Sequence, residues 1–373
     1  MKSVKSLSIC ILCLIPLLIS GCWDQKIFEE IGFALLLGLE QTENDELLYS
    51  VAIPVVSEDI GETIAILSTT SDLLRQSRDQ IRNKAGKKIE GGKTQHIILS
   101  KQLAEKGIGN LLDVFLRSAE NPLLANIIVV DGSPLEMFEI SREYKDKPRI
   151  ALYTTNVIKD ARIRTATPDT RIYEFTILQY CETIDPIASV IGYNEKEIEV
   201  KGSALFNKDK MTGSIGFEET GLLHALMGEK IRFGYYIDSK NIQKETDMEF
   251  RGISVLLSRV KRKVEINVSK SVPQINISLD FTGAIDEIDL NYRLDDREDQ
   301  KKLEEKISML IEQDCIKLLE YLQKIESDPI GFGEIIRAKH NDYFKSVVWK
   351  SIYPKVKFHV DVKTNFEFHG ALN

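Results

Sequence analysis

The sequence predicts an α+β protein: three mixed α/β domains with antiparallel or mixed sheets, behind a short cleaved leader. Three observations lead there. Strand-like and helix-like runs alternate between His96 and about residue 147. The last third pairs alternating polar and apolar strands with one long amphipathic helix. The chain opens on a brief apolar run that stops at a cysteine.

That opening sets the chain's location. Lys2 and Lys5 precede a run from Leu7 to Ile19 that is apolar apart from Ser8 and is interrupted by Pro16. A bilayer-spanning helix needs about 20 apolar residues. This run is shorter and has the shape of a secretory signal. The order Ile19-Ser20-Gly21-Cys22 resembles a bacterial lipobox, in which the thiol takes a diacylglyceryl group and cleavage makes Cys22 the new N-terminus. The competing reading is an ordinary secreted chain whose cysteine has no special role. Each buried CH₂ is worth about 0.8 kcal/mol, so two acyl chains supply a gross anchoring term on the order of 20 kcal/mol. Residues 1–21 are therefore expected to leave, and the mature chain to be tied to a membrane without spanning it.

Composition narrows the function classes. The 373-residue chain carries a formal charge of −8, and loss of Lys2 and Lys5 with the leader takes it to −10. An acidic balance disfavours nucleic acid as a partner. No basic block lies beside Cys22 in sequence, so attraction to anionic lipid is not expected to add to the anchor. Cys10 and Cys13 depart with the leader, leaving Cys181 and Cys315 without metal-like or disulfide-framework spacing. The fold must be held by its core.

The elements follow in order. Phe33–Leu39 and Leu47–Ile53 read as strands around a turn at Glu43-Asn44-Asp45, and Ser71–Lys84 as a helix ended by Gly91-Gly92. His96–Leu99 and Ile127–Val130 are strands on either side of a helix through Leu111–Phe115. Asp131-Gly132-Ser133-Pro134 turns into another helix. The pattern weakens from Pro148 to Pro168. Boundaries are accordingly set at 22–147, 148–229 and 230–373. Glu197–Phe206 is a strand, Asn207–Lys210 a turn and Glu218–Met227 a helix. Ile231–Ile237, Val264–Val268 and Ile275–Phe281 are strands of the last domain. Leu303, Ile307, Leu310, Ile311, Cys315, Leu318, Leu319, Leu322 and Ile325 mark one helix face. That stripe is broader than a coiled-coil seam and suits packing on a sheet. A second short helix ends near His340, and Val356–Phe368 closes the chain.

Motifs for chemistry are scarce. No nucleophile elbow, zinc-protease helix or phosphate-binding glycine loop occurs. The five histidines lack ligand spacing. Asp286–Asp299 is acidic but lacks the alternating ligands and central glycine of a calcium loop. No enzyme, metal or cofactor is expected. Gly331-Phe332-Gly333 stands out, because glycines flanking a ring permit unusual backbone angles. A tight helix start anchored by Phe332 is the preferred reading, with a partner-binding surface as the alternative.

Several of these stretches together resemble the C-subunit lipoproteins of bacterial spore germinant receptors. They are Gly21-Cys22-Trp23-Asp24 with Glu29-Glu30-Ile31, Ser77-Arg78, Lys93–Arg117, Gly202–Gly221, Asp328-Pro329-Ile330-Gly331-Phe332-Gly333, Arg337–His340 and Trp349. Asn341 stands where a proline is expected. The resemblance implies a non-enzymatic subunit on the outer face of the spore inner membrane. It would act with a polytopic A subunit and a transporter-like B subunit to trigger germination. Only Cys22 carries over as a site. The alternative is a substrate-binding lipoprotein of a transporter, which requires two doubly wound lobes. A cell-envelope hydrolase would need a catalytic constellation that the sequence does not display.

Overall fold

The computed structural model describes residues 30–57, 61–117, 121–238, 252–268, 272–288 and 297–367. Cys22, the leader and most of the acidic stretch 286–299 lie outside them. Strands β1 (Ile31–Phe33), β2 (Leu36–Gln41), β3 (Leu47–Ser57) and β4 (Gly61–Ser71) open the chain. Helix α1 (Leu74–Lys84), β5 (Lys88–Glu90), β6 (His96–Ser100), α2 (Lys101–Lys106), α3 (Gly109–Leu116) and β7 (Asn126–Val130) follow. Next come α4 (Pro134–Arg142), α5 (Ile150–Ile163), α6 (Ile172–Gln179), β8 (Ile187–Tyr193), β9 (Ile198–Asn207), β10 (Lys210–Ile215) and α7 (Phe217–Met227). The last third holds β11 (Phe233–Asp238), β12 (Gly252–Asn267), β13 (Gln274–Ile288), α8 (Arg297–Lys324), α9 (Phe332–Lys339), α10 (Asn341–Lys345), α11 (Trp349–Ile352) and β14 (Lys357–Glu367).

One eight-stranded mixed sheet runs in the order β10-β9-β8-β7-β6-β2-β3-β4. Its centre is parallel, with β2, β6, β7 and β8 in register; its flanks are antiparallel. Successive side chains point to opposite faces of a strand, and both faces here are covered. Leu37, Leu39, Ile97, Leu99, Ile127 and Val129 meet Leu74, Ile81, Leu112, Phe115 and Phe175 of the helices on one side. Leu36, Ile98, Ile128 and Val130 meet Met137, Phe138, Ile150 and Ile158 on the other. Burial on both faces explains why β6 and β7 read as unbroken apolar runs.

The sheet crosses the boundary expected near residue 148, because β7 pairs directly with β8. The weak stretch from Pro148 contains the fourteen-residue α5. Its buried face is Ile150, Ala151, Thr154, Ile158 and Ala161, whose small and hydroxylated members blunt the apolar period. The half-buried edge strand β4, rich in Ser and Thr, carries equally little apolar signal. It claims Ser71, which pairs with Leu47, so α1 begins at Leu74 rather than Ser71.

The second sheet has the order β11-β12-β13-β14. Its first three strands are antiparallel and β14 runs parallel to β13. Strands β12 and β13 extend well beyond the stretches expected from sequence. Helix α8 buries Leu303, Ile307, Ile311, Cys315, Leu318, Leu319 and Leu322 against this sheet, as the broad stripe predicts. The same core takes in Ile187, Leu205 and the α7 residues Leu222, Leu223 and Leu226, so the two sheets share apolar packing. A two-stranded parallel ribbon, β1 with β5, completes the fold. Two doubly wound lobes are not its architecture.

Candidate functional site: a buried carboxylate junction

Where the segment before β8 meets the turn after α8, two carboxylates are withdrawn from water. Asp185 is 1% exposed, as is Asp328. A buried carboxylate needs donors on most of its lone pairs, and the sequence Asp328-Pro329-Ile330-Gly331-Phe332-Gly333 supplies them locally. Asp328 Oδ1 accepts the backbone N–H of Gly331 at 2.9 Å and of Phe332 at 3.1 Å. Its Oδ2 accepts Gly333 N–H and Trp349 Nε1–H, each at 3.0 Å. The negative charge sits at the N-terminus of α9, where unsatisfied N–H groups and the helix dipole favour it.

Glycine is required at both flanking positions. Gly331 has φ of 75°, left-handed backbone that an L side chain rarely adopts. At Gly333 a Cβ would fall 2.5 Å from Trp349 Nε1 and 2.9 Å from the Thr183 carbonyl oxygen. Phe332 between them is fully buried and packs on Phe358, ring centroids 4.9 Å apart.

Asp185 joins this turn to the large sheet. Its backbone N–H donates to the Asp328 carbonyl at 3.0 Å, and Asp328 N–H donates back to Asp185 Oδ2 at 2.8 Å. Asp185 Oδ1 accepts Lys208 N–H from the β9–β10 turn at 2.9 Å. The Lys350 ammonium pairs with Asp185 and reaches Asn207 Oδ1 at 3.1 Å. Ser327 Oγ donates to the Phe206 carbonyl at 2.7 Å, and Tyr353 OH donates to the Ser327 carbonyl at 2.9 Å. Burial, with Asp185 nearby, pushes the Asp328 carboxyl up to about 6 while its N–H donors restrain the rise. Burial likewise raises the Tyr353 phenol, with the two carboxylates adding to it.

The arrangement can hold two halves of a chain in register, with both carboxylates 1% exposed. Gly331, Phe332 and Gly333 come together here, in the interior, while Cys22 lies outside the described residues. Asp185 and Lys350 were not singled out from sequence, and nothing local marks them, since 143 residues separate Asp185 from Asp328. Asp328 had a readable signal: a carboxylate just ahead of Pro-x-Gly-x-Gly faces several free N–H groups. Cys315 is buried, and burial raises its thiol. Among the described residues no group of three or more His, Cys, Asp or Glu is placed to hold a metal, and no helix is long and apolar enough to cross a membrane.

Comparison with known families accounts for nearly the whole chain. Residues 24–193 match the spore germination protein N-terminal domain, and residues 201–370 match the spore germination B3/GerAC-like C-terminal family. The chain belongs to the germinant receptor C-subunit family. It is 20% identical to the putative spore germination protein YfkR of Bacillus subtilis (strain 168), over 96% of this chain and 97% of that one. It is 24% identical to spore germination protein GerQC of Bacillus cereus, over 92% and 94%. The crystal structure of the GerBC protein superposes with a TM-score of 0.58 at 16% identity, covering 88% of this chain and 96% of that one, which shows a shared fold. Between the two matched regions lies the short β8–β9 turn, so strands from both complete a single sheet.

Proposed function

We propose that this protein is the C subunit of a nutrient germinant receptor. In this reading it is lipid-anchored at the outer face of the spore inner membrane, assembled with polytopic A and B subunits, and has no catalytic role. Family membership over both halves of the chain is the observation that carries it. Support for the anchor is the lipobox-like order ending in Cys22 behind a run too short to span a bilayer. For Gly331, Phe332 and Gly333 we infer a role inside the junction, since Phe332 is fully buried.

The anchor has a direct test. Mature protein isolated from membranes should carry a thioether-linked diacylglycerol on Cys22 by mass spectrometry. The chain produced from residue 22 onwards with Cys22→Ala should fold as the wild type does and leave the tightly bound membrane fraction. Tight, salt-resistant membrane association of that variant, with no partner present, would remove the basis for the anchor.

A further inference from the structure

Along the chain, no basic block adjoins Cys22. In space one does. Residues 74–93 contain Arg75, Arg78, Arg82, Lys84, Lys87, Lys88 and Lys93 against only two carboxylates, Asp79 and Glu90, in a protein whose overall charge is −8. All of these cations except Arg78 are exposed. Arg78 turns inward and lies over the Phe115 ring, 5.2 Å from its centroid.

The fold carries this segment to the start of the chain. β1 and β5 pair in parallel with Ile31 opposite Lys88. Glu30, Arg82, Ala85, Gly86, Lys87 and Lys88 line one open cavity of about 590 Å³. Ile31 lies nine positions after Cys22, a stretch that fully extended reaches at most about 32 Å. A lipid on Cys22 would keep β1, and the cationic corner paired with it, within that reach of the attachment point.

We propose that the α1–β5 corner, centred on Arg82, Lys87 and Lys88, docks on the anionic headgroups of the bilayer in which the chain is anchored, and so fixes the subunit's orientation. This rests on the lipid-anchor reading. A tether alone leaves the body free to rotate about its attachment point. A juxtamembrane cation is attracted to an anionic surface only within about a Debye length, roughly 8 Å at physiological salt. The tether confines the body near the surface at high effective concentration, so contact is sampled often and a weak attraction suffices to select one face. Set against Asp79, Glu90 and the lining residue Glu30, the exposed Arg75, Arg82, Lys84, Lys87, Lys88 and Lys93 leave the corner net cationic. Arg82 pairs with Asp79 at 3.6 Å and Lys88 with Glu90 at 3.3 Å, yet their side chains remain 45% and 58% exposed. The net acidic charge of the rest of the molecule repels the same surface, which sharpens the choice of face. Charge counted along the sequence missed this, because β1–β5 pairing joins residues 57 positions apart.

The test uses the lipidated mature protein in vesicles of phosphatidylcholine alone, or with phosphatidylglycerol admixed. A dye is attached at Gly86→Cys, where an added Cβ meets no atom within 4 Å, in a Cys181→Ser background. The reference dye is at Lys317→Cys on α8. Quenching by headgroup-linked quencher should be stronger at 86 than at 317 in anionic vesicles only. The difference should vanish at high salt and in R82Q/K87Q/K88Q. Equal quenching in neutral and anionic vesicles, or indifference to the triple substitution, would overturn the proposal. A second measurement separates it from the anchor. The mature Cys22→Ala chain should bind anionic vesicles weakly and salt-sensitively, and the triple variant should lower that affinity about tenfold or more. Absence of any preference for anionic vesicles would refute the docking corner even with the anchor intact. If native protein carries no lipid while Cys22→Ala still prefers anionic vesicles, the anchor fails and the corner stands.

Discussion

Gly333→Ala is the smallest change that tests the junction. The added Cβ would lie 2.5 Å from Trp349 Nε1, 2.6 Å from its Cδ1 and 2.9 Å from the Thr183 carbonyl oxygen. Neither neighbour yields easily: one is backbone, and the other is an indole only 3% exposed. Moving the ring stretches the 3.0 Å bond from Nε1–H to the Asp328 carboxylate. Overpacking a buried site costs about 1–3 kcal/mol, and a hydrogen bond to a charged group is worth about 1.5–3 kcal/mol. The variant should therefore lose about 3–5 kcal/mol, measured by urea unfolding of the mature chain in a Trp23→Phe background, with Trp349 emission as one probe. Gly86→Ala, with no atom within 4 Å of its Cβ, should stay within about 0.5 kcal/mol of the wild type. A loss below about 1 kcal/mol for Gly333→Ala, with unchanged Trp349 emission, would refute the tight packing on which the junction depends.

Lys350→Met strands the fully buried Asp185 carboxylate beside two backbone donors. It should cost about 2–4 kcal/mol, whereas Lys317→Met, which breaks an exposed pair with Asp314, should cost under about 1 kcal/mol. Comparable losses in chemical denaturation would contradict the burial assigned to Asp185. His96, buried and bonded to Thr155 Oγ1 at 2.9 Å, is held down at about 3 by burial, with Arg162 adding to it. The unfolded chain takes up this proton near 6.5, so His96 lowers stability as pH falls below about 6.5. Between pH 6.5 and 5 the wild type should lose about 1.6 kcal/mol relative to His96→Gln, and parallel stability curves for the two would show His96 charging freely in the fold.

Local pattern revealed most of the elements because burial and period agree in them. Strands β6 and β7 are apolar throughout since both sheet faces are covered, and α8 shows its stripe because one face meets a sheet. Helix α5 hid behind Thr154 and Ala161, which pack well but carry little apolar signal. Strand β4 hid because half of it faces water. Order among the strands was harder still. Pairing of β7 with β8 and of β1 with β5 is non-local, and no short window contains both partners. The site divides the same way. Gly331-Phe332-Gly333 announced an unusual backbone, and Asp328 stood beside it, but Asp185 and Lys350 are joined to it only by the fold. The α1–β5 corner is the same lesson in charge: its cations are neighbours in sequence, but their place beside β1 is set by strand pairing and is invisible to a count along the chain.

As a proposed membrane-held subunit of a germinant receptor, this chain should sit beside polytopic partners in the spore membrane. The most direct test is crosslinking of the native protein in purified spore membranes of the organism that carries it, followed by mass-spectrometric identification of the joined chains. Polytopic germination subunits should be among them, with the linked residues mapping the docking face. Linkage to a transport ATPase complex instead, or to no partner at all, would contradict that proposal.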